Sequence, residues 1–504
     1  MLRWMRWLWF LGFPFLLQGE VNPATTIVIA NQNNPEGIQI AQILLRKRNI
    51  PEENLIILPL STEEEISWSQ YSETILNPLR HLLLSRQLIA GEIKAERDEY
   101  GREGFIKTEN PRVTWIICMT GVPLKIKNLD HDKYPENAPL KRSQACVDSE
   151  LALLGMTNHN PHGPINNPWF GNASLVTSDV IRTARLDGPS SSEILRSLNQ
   201  TWRAEKNGLR GRSYIDKGGP YPEGDVWLDR TANLSRSMGF PTDIEETPKL
   251  FHEKSRSDAP AFYFGWYTQL PQGRFGLQRV LLAPGSIAVH THSFSAFTLR
   301  SSSGNWAAWL VKQGAGLTAG NVYEPYLQFS LRPDALLRGI AQGMTAGEAA
   351  WFATPAISWQ GTILGDPFYR PLAHDIQPQL KDFLVQPDDY SVYSVLRGAE
   401  IEQKNNPQKS LAMLVVAQEK TPSILLAYAI AKSQQQLNLP LTWPEDSDLP
   451  DLGRADDGLI FEIGQFLLQN GQKKAGLRVL KALNTREGWK DSADLKQLLL
   501  DNAV

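Results

Sequence analysis

The sequence predicts an α/β protein, a mostly parallel sheet flanked by helices, followed by an all-α domain of helical-repeat character. Three observations carry this. Thr26-Ile27-Val28-Ile29-Ala30 is a continuous β-branched run without polar alternation, the pattern of a strand buried on both faces. Runs of this kind alternate with segments of helical period, the order that builds a parallel sheet through right-handed crossovers. After His374 the strand-like runs stop and only helix-like segments remain.

The elements follow in order. After the first strand, Asn31 to Glu36 is a polar turn, and Gly37 to Arg48 places Ile38, Ala41, Leu44 and Leu45 at helical spacing. The triplet Arg46-Lys47-Arg48 suits a helix C-terminus, where cations meet the negative end of the dipole. Leu55 to Leu60 reads as a second strand, Tyr71 to Leu88 as a helix started or kinked by Pro78, and Val113 to Met119 as a third strand. Two loops rich in Asn, Pro, His and Gly, Asn128 to Ser143 and Asn158 to Asn172, bracket a short helix opened by Asp148-Ser149-Glu150. Ile181 to Leu186 reads as a strand, and Ser190 to Glu193 as a helix start of capping-box type. Ala261 to Trp266, Ser286 to His290, Gly316 to Asn321 and Thr362 to Leu364 complete the strands, with helices at Asn305 to Gln313 and Ala335 to Gln342. Six short helices between Ser394 and Leu500 follow, similar to tetratricopeptide helix pairs but without a 34-residue period. The expected domains are a signal peptide over 1–24, the α/β domain over 25–373 with long loops near 128–172, and the helical domain over 374–504.

Composition excludes several classes. Hydrophobic residues at 42% and charged residues at 21% fit a globular chain and not disorder or collagen. A formal charge of -3 argues against a nucleic-acid partner, which needs a basic face. Two cysteines, Cys118 and Cys146, form neither a disulfide framework nor a Cys-rich zinc site; one disulfide or two free thiols both remain open. Arg3 and Arg6 followed by the apolar run Leu8 to Leu17 read as a secretory signal, with an uncleaved anchor as the alternative. That run is shorter than the ~20 residues of a membrane span, and no later segment is apolar enough to span. The protein is therefore expected to be exported, to the periplasm or beyond the cell.

Candidate chemistry concentrates at strand ends. His290-Thr291-His292 places two imidazoles two residues apart, on one face of a continuing strand, a spacing that metals accept. Asp148, Glu150, Asp187 or Glu324 could add a third ligand. Ser293 or Ser295 could instead act as a nucleophile with a histidine as base, although no Gly-x-Ser-x-Gly elbow surrounds either. Equally, the histidines could simply hydrogen-bond a strand end. Arg185 and Asp187 suit an Arg–carboxylate pair that orients a ligand or holds a loop, and Asp148 and Glu150 suit a helix N-terminus. Trp266 and Tyr267 offer aromatic surface for a sugar or peptide, or for the core. Gly314, Gly316 and Gly320 imitate a dinucleotide fingerprint in the wrong context, opening a strand and not a helix, so no nucleotide is expected; the cofactor is otherwise unknown. If all strands ran parallel, Thr120, Asp187, Trp266, His292 and Asn321 would share one rim.

Five stretches taken together resemble a known group: Thr120-Gly121-Val122-Pro123-Leu124, Val147-Asp148-Ser149-Glu150-Leu151, Arg185-Leu186-Asp187-Gly188-Pro189, Gly265-Trp266-Tyr267 and Gly365-Asp366-Pro367. They look like an uncharacterised secreted bacterial family of genomes that carry exosortase systems, over Ala24 to Leu372. A more distant resemblance is to gingipain-type cysteine peptidases of the caspase-like clan. There a catalytic His follows one strand, the nucleophilic Cys follows the next, and a Gly-Asp-Pro closes the domain. The matching order here is Phe262 to Trp266, Ile287 to Ser293, Trp306 to Leu310, Gly314 to Gly316, Gly347 to Ala349 and Gly365 to Pro367. Trp266 or Tyr267 stands where the resemblance implies the His, and neither cysteine lies near the nucleophile position. The resemblance thus implies a caspase-like or Rossmann-like fold without the thiolate–imidazolium pair. The expected function is binding of a peptide or saccharide at the strand rim, with a metal- or serine-dependent hydrolase using His290 to Ser295 as the alternative. The helical domain is the candidate surface for a protein partner, by fold analogy.

Overall fold

Ten strands join in one sheet in the computed structural model, which describes residues 22–129, 140–175, 177–278, 280–445, 449, 451–453 and 455–502. Arg3, Arg6 and Leu8 to Leu17, read as a signal, lie outside the described residues, as does most of the first long loop. In chain order the strands are β1 (Thr26–Asn31), β2 (Leu55–Leu58), β3 (Trp115–Met119), β4 (Arg182–Leu186), β5 (Arg212–Asp216), β6 (Thr242–Glu245), β7 (Pro260–Trp266), β8 (Ile287–Thr291), β9 (Leu317–Asn321) and β10 (Gly361–Gly365). Their spatial order is β6-β5-β7-β8-β9-β10-β4-β3-β1-β2. Every residue of β1, β3, β4, β7, β8 and β9 is buried, the polar ones in β4, β8 and β9 included.

The sheet is mostly parallel but built of two opposed halves. Strands β2, β1, β3, β4 and β10 run one way, and β6, β5, β7, β8 and β9 the other. They meet where β9 lies antiparallel to β10, with Leu317 opposite Gly365 and Asn321 opposite Gly361. The single rim expected from an all-parallel sheet is therefore divided. Thr120 and Asp187 follow strands that end at one edge; Trp266, His292 and Asn321 mark the opposite edge. β5 and β6, with the helix between them, have no counterpart in the sequence reading, nor does the hairpin Ala90–Arg97 with Glu103–Glu109.

Helices cover both faces. One layer contains α1 (Pro35–Arg48), α4 (Ser191–Asn207), α5 (Pro222–Ser237), α7 (Pro333–Ala341) and α8 (Ala346–Ala353), whose Leu44, Leu198, Leu228, Leu336 and Ala349 pack on Val28, Ile117, Phe262 and Val289. The other contains α2 (Asn77–Ser85), α3 (Val147–Leu151) and α6 (Trp306–Lys312), against Ile27, Ile29, Ile116, Tyr263 and Ala288. The closing Gly365-Asp366-Pro367 is an anchor. Fully buried Asp366 accepts from Arg48 Nε at 2.6 Å, Trp202 Nε1 at 3.0 Å and the Phe368 N–H at 3.0 Å, which ties the end of the sheet to α1 and α4. Gly365 has φ +138, and a Cβ there would sit 2.4 Å from the Gly316 carbonyl, so only glycine lets β10 enter beside β9. Arg48, from the triplet read as a helix terminus, thus also holds the fold.

The C-terminal region is helical, as expected: α9 (Ile376–Val385), α10 (Ser391–Gln403), α11 (Pro407–Lys420), α12 (Ile424–Gln436), α13 (Asp457–Gln469), α14 (Lys473–Leu483) and α15 (Ala493–Asp501). It docks on the loops before and after β7. Arg256 binds Asp258 through Nε at 2.8 Å and Glu462 of α13 through Nη1 at 3.2 Å, Tyr393 donates to Asp258 at 3.0 Å, and Arg274 reaches Asp456 at 2.6 Å. The apolar half of α10, α11 and α12 closes around Leu396, Leu414 and Leu426.

Candidate functional site

The motif residues of the first half converge on one buried guanidinium. Arg185, fully buried in β4, directs Nε and Nη2 at Asp148 (3.0 and 2.7 Å), Nη1 at Asp187 (3.1 Å) and the Val122 carbonyl (2.8 Å), and Nη2 also at the Pro123 carbonyl (2.8 Å). Its five N–H donors are thereby used. Thr362 of β10 donates to Asp148 at 2.7 Å, and Asp187 accepts from the Gly188 N–H at 2.9 Å. Burial raises the Asp187 carboxyl even beside Arg185. Glu150 is buried against Ser358 and His159, the latter at 3.3 Å; burial acts to raise its pKa, and these partners outweigh it and hold it low. Arg185, Asp187, Asp148 and Glu150 are therefore corrected from ligand-binding or catalytic candidates to a structural network. It pins Thr120-Gly121-Val122-Pro123 and α3 to the sheet. Asp148 and Glu150 serve side-chain partners and not the helix dipole alone.

Cys118 and Cys146 are both free and buried, which closes the disulfide alternative. Burial pushes both thiols above their usual range.

The second half presents its carboxyl ends differently. His290 is buried at the end of β8, its ring stacked on Trp306 with centroids 3.9 Å apart and planes 11° apart. Both nitrogens are engaged. The backbone N–H of Thr268 donates to Nε2 at 3.2 Å, so Nδ1 carries the proton and faces the Tyr263 hydroxyl at 3.0 Å. Tyr263 in turn donates to Asp216 at 3.1 Å, and Asp216 accepts from the Phe251 N–H at 2.8 Å. Burial raises Asp216 to about 7, partly offset by Phe251 and Tyr263, while burial and then His292 hold His290 well below its usual range. His290 is a neutral core histidine. Among the described residues no three His, Cys, Asp or Glu side chains gather as a metal site. Asp216, Tyr263 and Thr268 were not singled out by sequence. An aspartate ending a buried strand before Lys217-Gly218-Gly219 was the available signal.

Beyond His290 the chain reaches a partly exposed surface. His292 leans on Tyr267 with ring centroids 5.0 Å apart. Tyr267 meets Tyr221 edge-on at 5.6 Å and 87°, and Tyr221 is 49% exposed. Trp266 lies beneath, buried, its Nε1 donating to Asp225 at 2.9 Å, wedged against Gly219 and Gly224. Ser293 Oγ donates to Glu324 at 2.6 Å. Ser295 and Asn321 are buried: the Asn321 N–H donates to Ser295 Oγ at 3.1 Å, and Asn321 Nδ2 donates to the His292 carbonyl at 3.2 Å. Ser295 and Asn321 are thus corrected to supports of the His292 turn, and Trp266 to a buried prop. Tyr267, His292, Ser293 and Glu324 come together; Tyr221 joins them from the start of α5 without having been predicted. A cleft beside them, lined by Thr291, Ser330, Phe329, Thr354 and Thr362, encloses about 30 Å³, room for about two waters.

Compared with protein-family models, curated proteins and solved structures, the chain matches none of them.

Proposed function

We propose that the protein is an exported binding protein on a peptidase-like sheet, taking a saccharide on the shelf formed by Tyr221, Tyr267 and His292. The observation that carries this is the contact between Tyr267 and His292. The resemblance to gingipain-type peptidases implies a catalytic pair after β7 and β8, and these two residues stand there as touching rings, 5.0 Å between centroids. Of the two buried cysteines, Cys118 belongs to β3 in the other half of the sheet and Cys146 to a separate three-stranded sheet. Aromatic faces beside a carboxylate, Glu324, and an imidazole are the groups that stack on a sugar ring and bind its hydroxyls. Carboxyl ends of parallel strands are also where open α/β sheets hold ligands.

A second reading, a serine hydrolase, draws on the 2.6 Å bond from Ser293 Oγ to Glu324. A carboxylate in that place can take the hydroxyl proton as a general base. Titration of the mature protein with oligosaccharides and with peptides, alongside Tyr267→Ala and His292→Ala, tests the first reading. Saccharide binding lost in both variants with the fold intact is the expected result. Peptide binding alone replaces the ligand class. Covalent labelling of Ser293 by a fluorophosphonate, abolished in Glu324→Gln, replaces binding with hydrolysis. Export rests on Arg3, Arg6 and Leu8 to Leu17, and N-terminal sequencing of the exported protein tests it; Met1 retained on a protein left in the cytoplasm overturns it.

A further inference from the structure

The buried chain from Asp216 to His290 runs outward to the shelf. Gly265 of β7 lies between Asp216 of β5 and His290 of β8 in register. A Cβ there would sit 2.7 Å from the Tyr263 hydroxyl, 2.9 Å from His290 Nδ1 and 3.0 Å from the Asp216 Cβ, so glycine is what lets the three side chains meet. The inner end is Asp216 Oδ2, facing the Tyr263 hydroxyl, while Oδ1 is fixed by the Phe251 N–H. The outer end is His290 Nε2, 3.2 Å from both the backbone N–H and the hydroxyl of Thr268, a half-buried residue. Thr268 follows Tyr267 directly, so this nitrogen ties down the residue next to the aromatic shelf. Trp306 Nε1 holds the Thr268 carbonyl at 2.8 Å.

A hydroxyl and a neutral imidazole each give one hydrogen bond and receive another, so the chain has a direction. With Asp216 ionised every bond points inward: Thr268 N–H to Nε2, Nδ1–H to Tyr263, Tyr263 to Asp216. A proton taken by Nε2 through the Thr268 hydroxyl reverses them. The Nδ1 proton passes to the Tyr263 oxygen as the Tyr263 proton passes to Asp216 Oδ2, so one proton enters and the ring stays neutral. Nε2–H then donates to Thr268 Oγ1 and opposes the Thr268 N–H, donor against donor. Burial, and then His292, holds His290 well below its usual range, while burial lifts Asp216 to about 7, so the proton rests on the carboxyl. Among the described residues Glu245 of β6 faces Asp216 in register and raises it further, and Lys217 Nζ is taken by Asp229 at 2.6 Å. His290 is faced by His292, Tyr263 and the Trp306 ring. The geometry points to a proton relay from Thr268 through His290 and Tyr263 to Asp216, which locks the Tyr267–Thr268 segment when the carboxyl is ionised and frees it when the carboxyl is protonated. Its effect on a ligand rests on the shelf being the binding surface; the relay itself does not.

Nitrogen NMR of the full chain carrying isotope-labelled histidine tests this with no ligand present, the His290 signals being assigned by replacing the other histidines singly. Between about pH 5.5 and about pH 8.5, His290 is expected to stay neutral and to move its hydrogen from Nε2 to Nδ1, with a midpoint of about 7. Hydrogen-exchange protection of the Thr268 amide should be about fivefold to tenfold greater at the alkaline end, as for one hydrogen bond gained. Asp216→Asn keeps His292 and sets a permanent donor against Tyr263, so Nε2–H and weak Thr268 protection are expected at every pH. Tyr263→Phe cuts the chain and should leave a single tautomer throughout. A wild-type tautomer that does not change, or a His290 that becomes an imidazolium in acid, overturns the relay, and both are read without any variant. A change that persists in Tyr263→Phe overturns it as well. Thr268 protection independent of pH overturns the coupling to the shelf. Failure of every saccharide to bind would instead count against the shelf's ligand, and the histidine signals would still decide the relay.

Discussion

Asp216→Asn is the sharpest test of the buried chain Asp216–Tyr263–His290. Asp216 is 1% exposed and has no cation among its hydrogen-bond partners, and burial lifts its pKa from 3.8 to about 7. A carboxyl raised in the folded state binds protons there that the unfolded chain has already released, so stability falls as pH rises through the window from 3.8 to about 7 and is flat above it. At 1.36 kcal/mol per pKa unit the full loss is about 4 kcal/mol, of which about 2–3 kcal/mol accrues between pH 5 and pH 8. Asparagine abolishes this slope. It also places a donor against the Tyr263 hydroxyl, whose other neighbour, His290 Nδ1–H, is a donor too, at a pH-independent cost of about 1 kcal/mol. Urea unfolding of wild type and variant at pH 5, 6, 7 and 8, followed through the transition of the α/β domain, reads the difference. The variant's relative stability should rise by about 2–3 kcal/mol across that range. A difference that does not change with pH would show that Asp216 is not held near neutrality by burial, and the account of the chain would fall.

Three further outcomes follow from the packing. Arg185→Met strands Asp148 and Asp187 as buried charges, and should destabilise the α/β domain by about 3–5 kcal/mol in the same urea assay. Gly224→Ala puts a Cβ 2.3 Å from the Trp266 ring, so overpacking should cost about 1–3 kcal/mol and displace the prop under Tyr267, visible as a changed tryptophan emission. Cys118 and Cys146 should stay unreactive to a thiol reagent in the native protein and titrate as two thiols in denaturant; a single thiol or none after unfolding would contradict the free, buried state.

What the sequence made legible was decided by whether polar residues found their partners locally. β1 and β3 were plain because both faces meet helices and every position but Thr26 and Asn31 at the ends of β1 is apolar. β5 was opaque because Arg212-Ser213-Tyr214-Ile215-Asp216 looks like a surface segment, yet is wholly buried. Arg212 meets Asp243 of β6 and Asp216 meets Tyr263 of β7, partners that only the folded chain supplies. The direction of β10 was equally hidden, since Gly361-Thr362-Ile363-Leu364-Gly365 carries the same pattern read either way. Pairing parallel with β4 but antiparallel with β9, β10 sets the two halves in opposite directions and so parts Asp187 from His292. For the candidate site, Tyr267, His292, Ser293 and Glu324 were all named from sequence, whereas Tyr221 reaches the shelf through the turn into α5, 46 residues before Tyr267. The buried roles of His290, Asp148 and Arg185 depended on neighbours from distant strands.

The position of β10 also sets the order in which the protein can be made. Until it is inserted, the amino-terminal strands end in an open β4 and the later ones in an open β9, each a row of unpaired backbone groups. As the polypeptide leaves the ribosome, both half-sheets are complete in sequence by Asn321, but the strand that joins them emerges only with Gly361 to Gly365. The two halves must wait side by side with sticky edges, one of them since Leu186, before a single five-residue segment seals both. A chain stopped short of Gly365 would leave two edges free to pair with other copies. Its fate would be aggregation, even with nearly every helix of the α/β layer already synthesised.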